Sequence, residues 1–318
     1  MEFTISNISN KKKIKPFVKW VGGKGQILDT IFQYFPKKIK NYYEPFLGGG
    51  AVFFRLLEKC EKNEIKLEGK MYLNDSNKTL INTYKTIKTN VIELIEKLTE
   101  YNNYYLKSKF VSLPSRTKIT IQDNDNINNI VKKGKQYVYY YYRHKFNNDT
   151  SLSDVEKSAL FIFLNKSGFR GLFREGKNGF NVPFGNYDKP NICEKNLLKN
   201  LNILFNKYDI VFLSKDFKDI FDNIDESDFV YFDSPYYPIT NTSFVSYQKL
   251  GFSEDNHIEL CNLCIILDEL GIKFLESNSN CGFNKMNYKD FNLVEFYSQR
   301  RINSKNPSQK EKEILIYN

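Results

Sequence analysis

Histidine is almost missing from this sequence, with only His144 and His257 among 318 residues. A metal centre built on imidazole, or a nucleophile activated by histidine, therefore has few candidates. Carboxylates, backbone carbonyls and aromatic rings must carry any chemistry. Cysteine offers no framework either. Cys60, Cys193, Cys261, Cys264 and Cys281 are scattered and odd in number, which does not fit a disulfide scaffold in a chain of this length. Cys261 and Cys264 form a single CxxC, but it lies in the apolar helical stretch HIELCNLCIILDEL with no second pair at zinc spacing. No metal site is expected. No apolar run reaches the roughly 18 residues a membrane helix needs, and MEFTISNISNKKKIK lacks the apolar stretch of a secretory signal. A soluble, cytoplasmic protein without a membrane partner is the expectation. Also absent are GxxxxGKS and GxGxxG, which argues against a nucleoside triphosphate or a dinucleotide as ligand.

What is abundant is positive charge and aromatic side chain. The formal net charge is +10 and the pI about 9.1, a balance that suits a polyanion such as nucleic acid. Biased coding towards Lys, Asn, Ile and Tyr would give the same balance. With 41% hydrophobic residues the chain can bury one large α/β core plus a smaller insert.

Residues 1 to 15, rich in Ser, Asn and Lys, read as a mobile arm. Tyr42 to Leu47 then reads as a strand entering Gly48, Gly49 and Gly50, followed by the helical run AVFFRLLEKC. MYLND predicts a second strand ending at Asp75, and one long amphipathic helix is expected from Asn77 to Leu98. This βαβα rhythm marks a parallel sheet covered by helices. It stops between about residues 102 and 192, where VYYYYRHKF and SDVEKSALFIFLNK are helical and GFRGLFREGKNGFNVPFGNY is glycine-rich, basic and aromatic. It resumes with DIVFLSKDF, DFVYFDSPYY, a helix near His257 to Leu270 and the strand IKFLES. FNLVEFY and EILIYN predict an antiparallel edge. The domains assigned on this basis are 1–76 with 193–318 as catalytic unit, and 77–192 as an inserted, mainly helical unit with a β-hairpin.

Two places carry candidate chemistry. A glycine turn between strand and helix lets backbone approach a nucleotide-like ligand, though a phosphate site or a plain tight turn uses glycine equally. Asp75, at the end of the next strand, can accept hydrogen bonds from ribose hydroxyls, and can equally cap the following helix. An adenosine ligand without a phosphate chain fits, and S-adenosyl-L-methionine is one. The second place is DSPYY, emerging at the carboxyl end of a strand. The amino group of adenine is a poor nucleophile because its lone pair is delocalised. Two acceptors, the Asp233 carboxylate and the Ser234 carbonyl, would draw it towards tetrahedral geometry. Pro235 would stiffen the turn and Tyr236 would stack an extruded base. A strand ending in a proline turn would look the same.

Taken in order, FVKWVGGKGQIL, YYEPFLGGGAVFF, LND, NKSGFRGLFREGKNGFNVPFGNY and DSPYYP with FVSYQKLGFSEDNHIEL resemble the Dam-type DNA adenine methyltransferases from Lys15 onward. The resemblance implies a Rossmann-like fold and methyl transfer from S-adenosyl-L-methionine to a flipped adenine in double-stranded DNA, with GATC the preferred site. It implies cofactor contacts by Trp20 and Lys24, the latter facing the methionine carboxylate. Glu44, Pro45, Phe46, Gly48 and Gly50 would wrap the methionine portion, Asp75 the ribose, and Asp216 and Phe217 the adenine, with Asp233 between cofactor and base. For DNA it implies Lys19, then Leu172, Arg174 and Pro183 on a base-reading hairpin, and Tyr247 beside the gap left by the flipped base. A cognate restriction endonuclease would share the site without an obligate complex. Two departures stand out: Ser234 replaces the first proline of the usual DPPY, and Asn186 stands where relatives that methylate GATC can carry Arg. Amino methyltransferases of RNA or protein share such tetrapeptides, and an impaired DNA-binding relative would retain the rest.

Overall fold

The computed structural model describes residues 14–111, 117–238, 252–299 and 310–318, so most of the expected N-terminal arm, and Tyr247, lie outside the described residues. In chain order the elements are α1 (Leu28–Ile31), β1 (Lys38–Ile39), β2 (Tyr42–Glu44), α2 (Ala51–Glu61), β3 (Lys66–Leu67), β4 (Met71–Asn74), α3 (Lys78–Thr89), α4 (Val91–Lys107), α5 (Ile127–Lys133), α6 (Lys135–Asn148) and α7 (Asp154–Ser167). There follow β5 (Glu175–Gly176), β6 (Gly179–Phe180), α8 (Lys195–Lys207), β7 (Ile210–Leu213), β8 (Phe229–Phe232), α9 (Glu254–Glu269), β9 (Lys273–Ser279), α10 (Gly282–Asn287), β10 (Asn292–Gln299) and β11 (Lys310–Tyr317).

Seven strands form the central sheet in the order β10-β11-β9-β8-β2-β4-β7. From β9 to β7 every pair is parallel, while β11 lies antiparallel to both β9 and β10. The fold is thus α/β with a mostly parallel sheet, Rossmann-like, and its antiparallel edge lies where FNLVEFY and EILIYN predict it. Because helices cover both faces, the inner strands are buried throughout, as in FVYF of β8 and YYE of β2. Tyrosine can serve in such strands only if its hydroxyl finds a partner. Tyr42 donates to Glu44 at 2.7 Å, and the Tyr231 and Ser277 hydroxyls lie 2.8 Å apart.

The single helix expected from Asn77 to Leu98 is two helices, a correction with a local cause. At Asn90 the backbone leaves helical geometry (φ −130°, ψ 39°), and the Thr89 hydroxyl bonds to Lys85 O and Asn90 Oδ1 instead of leaving the ladder undisturbed. The break has a purpose in packing. Helix α3 lies on the sheet, its buried Tyr84 ring 5.2 Å from Phe212 and 6.2 Å from Phe205. Helix α4 packs on α7, through Tyr101 and Tyr105 against Phe163, and α3 meets α7 as well, where Asn82 and Thr86 reach Ser158 at 3.1 and 3.0 Å. Helix α7 starts in a capping box, Ser153 with Glu156, and buries every residue from Ser158 to Leu164.

The β5–β6 hairpin is fastened to α6. The Asn147 side chain bonds both N and O of Phe180 at 2.9 Å, and the Tyr139 hydroxyl donates to Val182 O at 2.8 Å. Gly179 turns with φ +80°, and a Cβ there would lie 2.7 Å from Asn147 Oδ1, so the approach requires glycine. Among the described residues no helix is long and apolar enough to cross a membrane.

Candidate active site

Strand β8 delivers Asp233 at its carboxyl end, beside the end of β2. The Lys24 ammonium pairs with Asp233 Oδ1, donates to Gly22 O at 3.1 Å and lies 4.6 Å from the Tyr236 ring centroid. Burial pushes the Asp233 carboxyl above its ordinary range, an effect that the nearby Lys24 charge opposes. Glu44 is buried beneath this pair. Burial holds its carboxyl well above the usual range; the Tyr42 hydroxyl and Lys24 counteract this and Asp233 adds to it.

The tetrapeptide is tied down on both sides. Ser234 is buried, with its hydroxyl 3.4 Å from Pro235 O. The Tyr236 hydroxyl donates to Glu313 Oε2 at 3.0 Å. The amide of Tyr237 donates to Asn278 Oδ1 at 3.1 Å, its carbonyl accepts from Ser279 Oγ at 2.6 Å, and its ring stacks on Phe283 at 4.0 Å. An otherwise extended loop is thereby held in one shape.

The glycine loop lies across the ends of β2 and β4. Gly48 and Gly50 have φ of +49° and +71°. The Trp20 side chain lies so close that a Cβ on Gly48 would come within 2.9 Å of its indole and one on Gly49 within 2.8 Å of its β-carbon. Asp75 accepts from Gly48 N and from Asn77 N, both at 2.8 Å. The cap of α3 is Asn77, whose Oδ1 accepts from Leu80 N at 2.9 Å, so the capping role open to Asp75 falls to its neighbour. Each Asp75 oxygen keeps a further lone-pair direction for a ligand hydroxyl. Beyond it, Phe46 lies 5.3 Å from Phe217, and Phe252 joins them at 5.7 and 5.8 Å, forming an aromatic wall. Asp216 is exposed and accepts from Lys218 N at 3.1 Å.

Asn74 unites these loops. Its amide donates to Pro45 O at 3.0 Å and Lys215 O at 3.2 Å, and accepts from Lys215 N at 2.9 Å. It is 1% exposed, so Asn74→Ala would leave the buried Pro45 carbonyl unpaired and remove the side-chain partner of both Lys215 backbone groups. We expect a loss of about 2 to 3 kcal/mol in urea unfolding.

The hairpin meets the glycine loop through Trp20, which stacks on Phe173 at 5.8 Å. Asn165 of α7 links the two as well, accepting from Lys19 N and donating to Lys19 O and Gly171 O, each at 2.8 Å. The Lys19 ammonium lies 4.7 Å over the Tyr187 ring. Leu172 is half-buried; Arg174 and Pro183 are exposed. Arg174 Nε donates to Asn181 Oδ1 at 2.6 Å and Pro183 O accepts from Phe169 N at 2.9 Å. Asn186 adopts φ +56°, a left-handed conformation that Asn tolerates better than Arg.

The structure therefore brings together Lys24, Glu44, Asp233 and Tyr236, and separately Trp20, Gly48 and Asp75, with Phe46 and Phe217 alongside. Sequence reasoning missed Asn74, Asn165, Phe252 and Glu313. Asn74 lies inside LND, Asn165 opens NKSGFRGLF and Phe252 lies in FVSYQKLGFSEDNHIEL, so each stood in a segment that carried the resemblance, whereas Glu313 did not.

A family model for D12 class N6 adenine-specific DNA methyltransferase matches residues 20–302. The chain is 39% identical to the type II methyltransferase M.MjaIII of Methanocaldococcus jannaschii, over 96% of this chain and 99% of the relative. It is 34% identical to the type II methyltransferase M1.LlaDCHI of Lactococcus lactis subsp. cremoris, over 97% of each. With the DNA adenine methylase of Escherichia coli K12 it shares 28% identity, over 96% and 95%. With the fold, the glycine loop and the Asp233 tetrapeptide in place, the chain belongs to the D12 class of N6 adenine-specific DNA methyltransferases.

Proposed function

We propose that this methyltransferase takes its methyl group from S-adenosyl-L-methionine and places it on N6 of an adenine swung out of duplex DNA, within GATC. The observation that carries the reading is the cluster of Asp233, Lys24 and Tyr236 at the carboxyl end of β8.

The residues fit the cofactor. Lys24 supplies a cation for an amino-acid carboxylate, Gly48 and Gly49 let the loop close against Trp20 at the strand ends, Asp75 keeps lone pairs for ribose, and the Phe46, Phe217 and Phe252 wall suits an adenine ring. Asp216, Glu44 and Pro45 complete the set. When bound, the cofactor supplies a methyl on a sulfonium centre. Asp233 and the Ser234 carbonyl accept the two N6 hydrogens and turn the nitrogen lone pair outward. Tyr236 stacks the base. The cofactor would supply the methyl to N6 with its thioether as leaving group, and the surplus N6 proton would depart along the hydrogen bond to Asp233. Ser234 in place of the usual proline keeps the acceptor, since the role belongs to its carbonyl.

The catalytic unit is 1–76 with 193–318, and 77–192 carries DNA recognition; its first helix, α3, is shared with the sheet layer. Lys19, Leu172, Arg174 and Pro183 read the bases, and Tyr247 helps hold open the gap left by the flipped base. Two type II relatives favour a cognate restriction endonuclease acting on the same cytoplasmic DNA.

Sequencing methylated adenines in a plasmid from a methylation-deficient host tests substrate and site together, with modification at GATC expected. Arg174→Ala is expected to lose about 1 to 3 kcal/mol of discrimination at one base pair, seen as off-site methylation at that position only. Labelled methyl appearing in ribosomal RNA and not in duplex DNA would refute the reading.

A further inference from the structure

We propose that Glu313 is a positioning residue for methyl transfer, acting on the target base through the hydroxyl of Tyr236; the inference rests on the reading of Tyr236 given above. Glu313 lies far along the chain from the tetrapeptide, on β11, and its register explains the meeting. It pairs with Ser279 of β9, whose hydroxyl holds the Tyr237 carbonyl at 2.6 Å. The antiparallel strand β11 and the tetrapeptide are thus fastened to the same point of β9. Glu313 is 6% exposed, and its Oε2 receives the Tyr236 hydroxyl at 3.0 Å.

A tyrosine ring has two rotatable torsions, and one face of this ring already carries Lys24 at 4.6 Å. Holding the oxygen fixes the first torsion, and because a phenolic O–H prefers the plane of its ring, the position of Glu313 also biases rotation of the ring about its long axis, favouring face-on contact with an incoming base. A carboxylate makes the stronger, charge-assisted bond and returns electron density to the ring that Lys24 contacts. Burial, with the Asp233 and Glu313 charges, holds the Tyr236 phenol well above its ordinary range, so it stays protonated and remains the donor. A misaligned stacking ring leaves binding intact and slows the chemical step, because N6 no longer points at the methyl group.

The test uses the full chain and a duplex with 2-aminopurine at the target position, alongside an unmodified duplex. Glu313→Ala and Tyr236→Phe are each expected to lower the single-turnover rate about tenfold, with KM for DNA within about twofold. The double variant should lose no more than either single one, and Glu313→Gln, which keeps an acceptor, should recover most of the rate. The 2-aminopurine emission should change in Glu313→Ala and Tyr236→Phe alike, reporting an altered stack. Wild-type rates in both single variants, or losses that multiply in the double variant, would overturn the proposal. If Glu313→Ala fails to fold, Tyr236→Phe decides, since it removes only the hydroxyl: a wild-type rate and emission would overturn the inference. Failure of the underlying reading looks different, because wild type itself would then transfer no methyl to duplex DNA, and that result sinks both.

Discussion

Asp233→Asn is expected to slow single-turnover methylation of duplex DNA by about two to three orders of magnitude. Asparagine matches aspartate in size, so the strand end and the tetrapeptide keep their shape, and the loss reports chemistry. The amide offers one acceptor and one donor. Where the carboxylate draws on an amino hydrogen, a donor would repel it, and the nitrogen lone pair would stay in the ring. The substitution also removes the negative charge opposite Lys24, which is 8% exposed and would keep its bond to Gly22 O and the Tyr236 face without a counter-ion. The pH profile provides a second readout. Asp233 must be ionised to act, and burial raises its carboxyl above the ordinary range. Activity is therefore retained at high pH and falls as pH drops through the raised value. The acid limb of kcat/KM should lie above the range of a free aspartate and vanish in the variant. A full rate in Asp233→Asn would end the mechanism.

Gly50→Ala should be nearly as damaging, through structure. Gly50 has φ +71°, and a Cβ would meet the Tyr84 hydroxyl at 2.6 Å and a Phe54 ring carbon at 3.2 Å. That hydroxyl donates to Gly48 O at 3.2 Å and so holds the loop closed from beneath. Tyr84 cannot withdraw, because its ring is wedged against Phe212, Phe205 and Phe17. Left-handed strain and the collision together should cost about 2 to 4 kcal/mol in urea unfolding. Cofactor affinity should fall with it. Tyr84→Phe in the same chain would remove the colliding oxygen and should restore part of the loss, which distinguishes collision from backbone strain. Equal stability of Gly50→Ala and wild type would show that the loop tolerates a side chain.

Much of this was readable before any coordinates. Alternating short apolar runs and helices gave the parallel sheet, since strands buried on both faces must be apolar throughout, and DFVYF is. Asp75 and Asp233 were visible because each follows such a run, at the strand end where open α/β sheets hold ligands. Asn90 was not visible. A periodic apolar pattern runs through it, and the break shows only in the tertiary packing, where α3 lies on both the sheet and α7 while α4 packs on α7. Asn165 and Glu313 were hidden for another reason. Each works through a partner distant in sequence, Lys19 and Tyr236, and no local spacing encodes a contact between remote segments. Asn74 lay in a quoted motif, but its use as a three-way tie depends on loops meeting from β2, β4 and β7.

Trp20 is the single tryptophan of the chain. Its indole touches the glycine turn on one side and Phe173 at the base of the hairpin on the other. The molecule thus carries one native fluorophore at the junction of its two halves. Its emission, free of interference from any second indole, would sense occupancy of either ligand in the unlabelled protein and show whether the first to arrive alters the welcome given to the other.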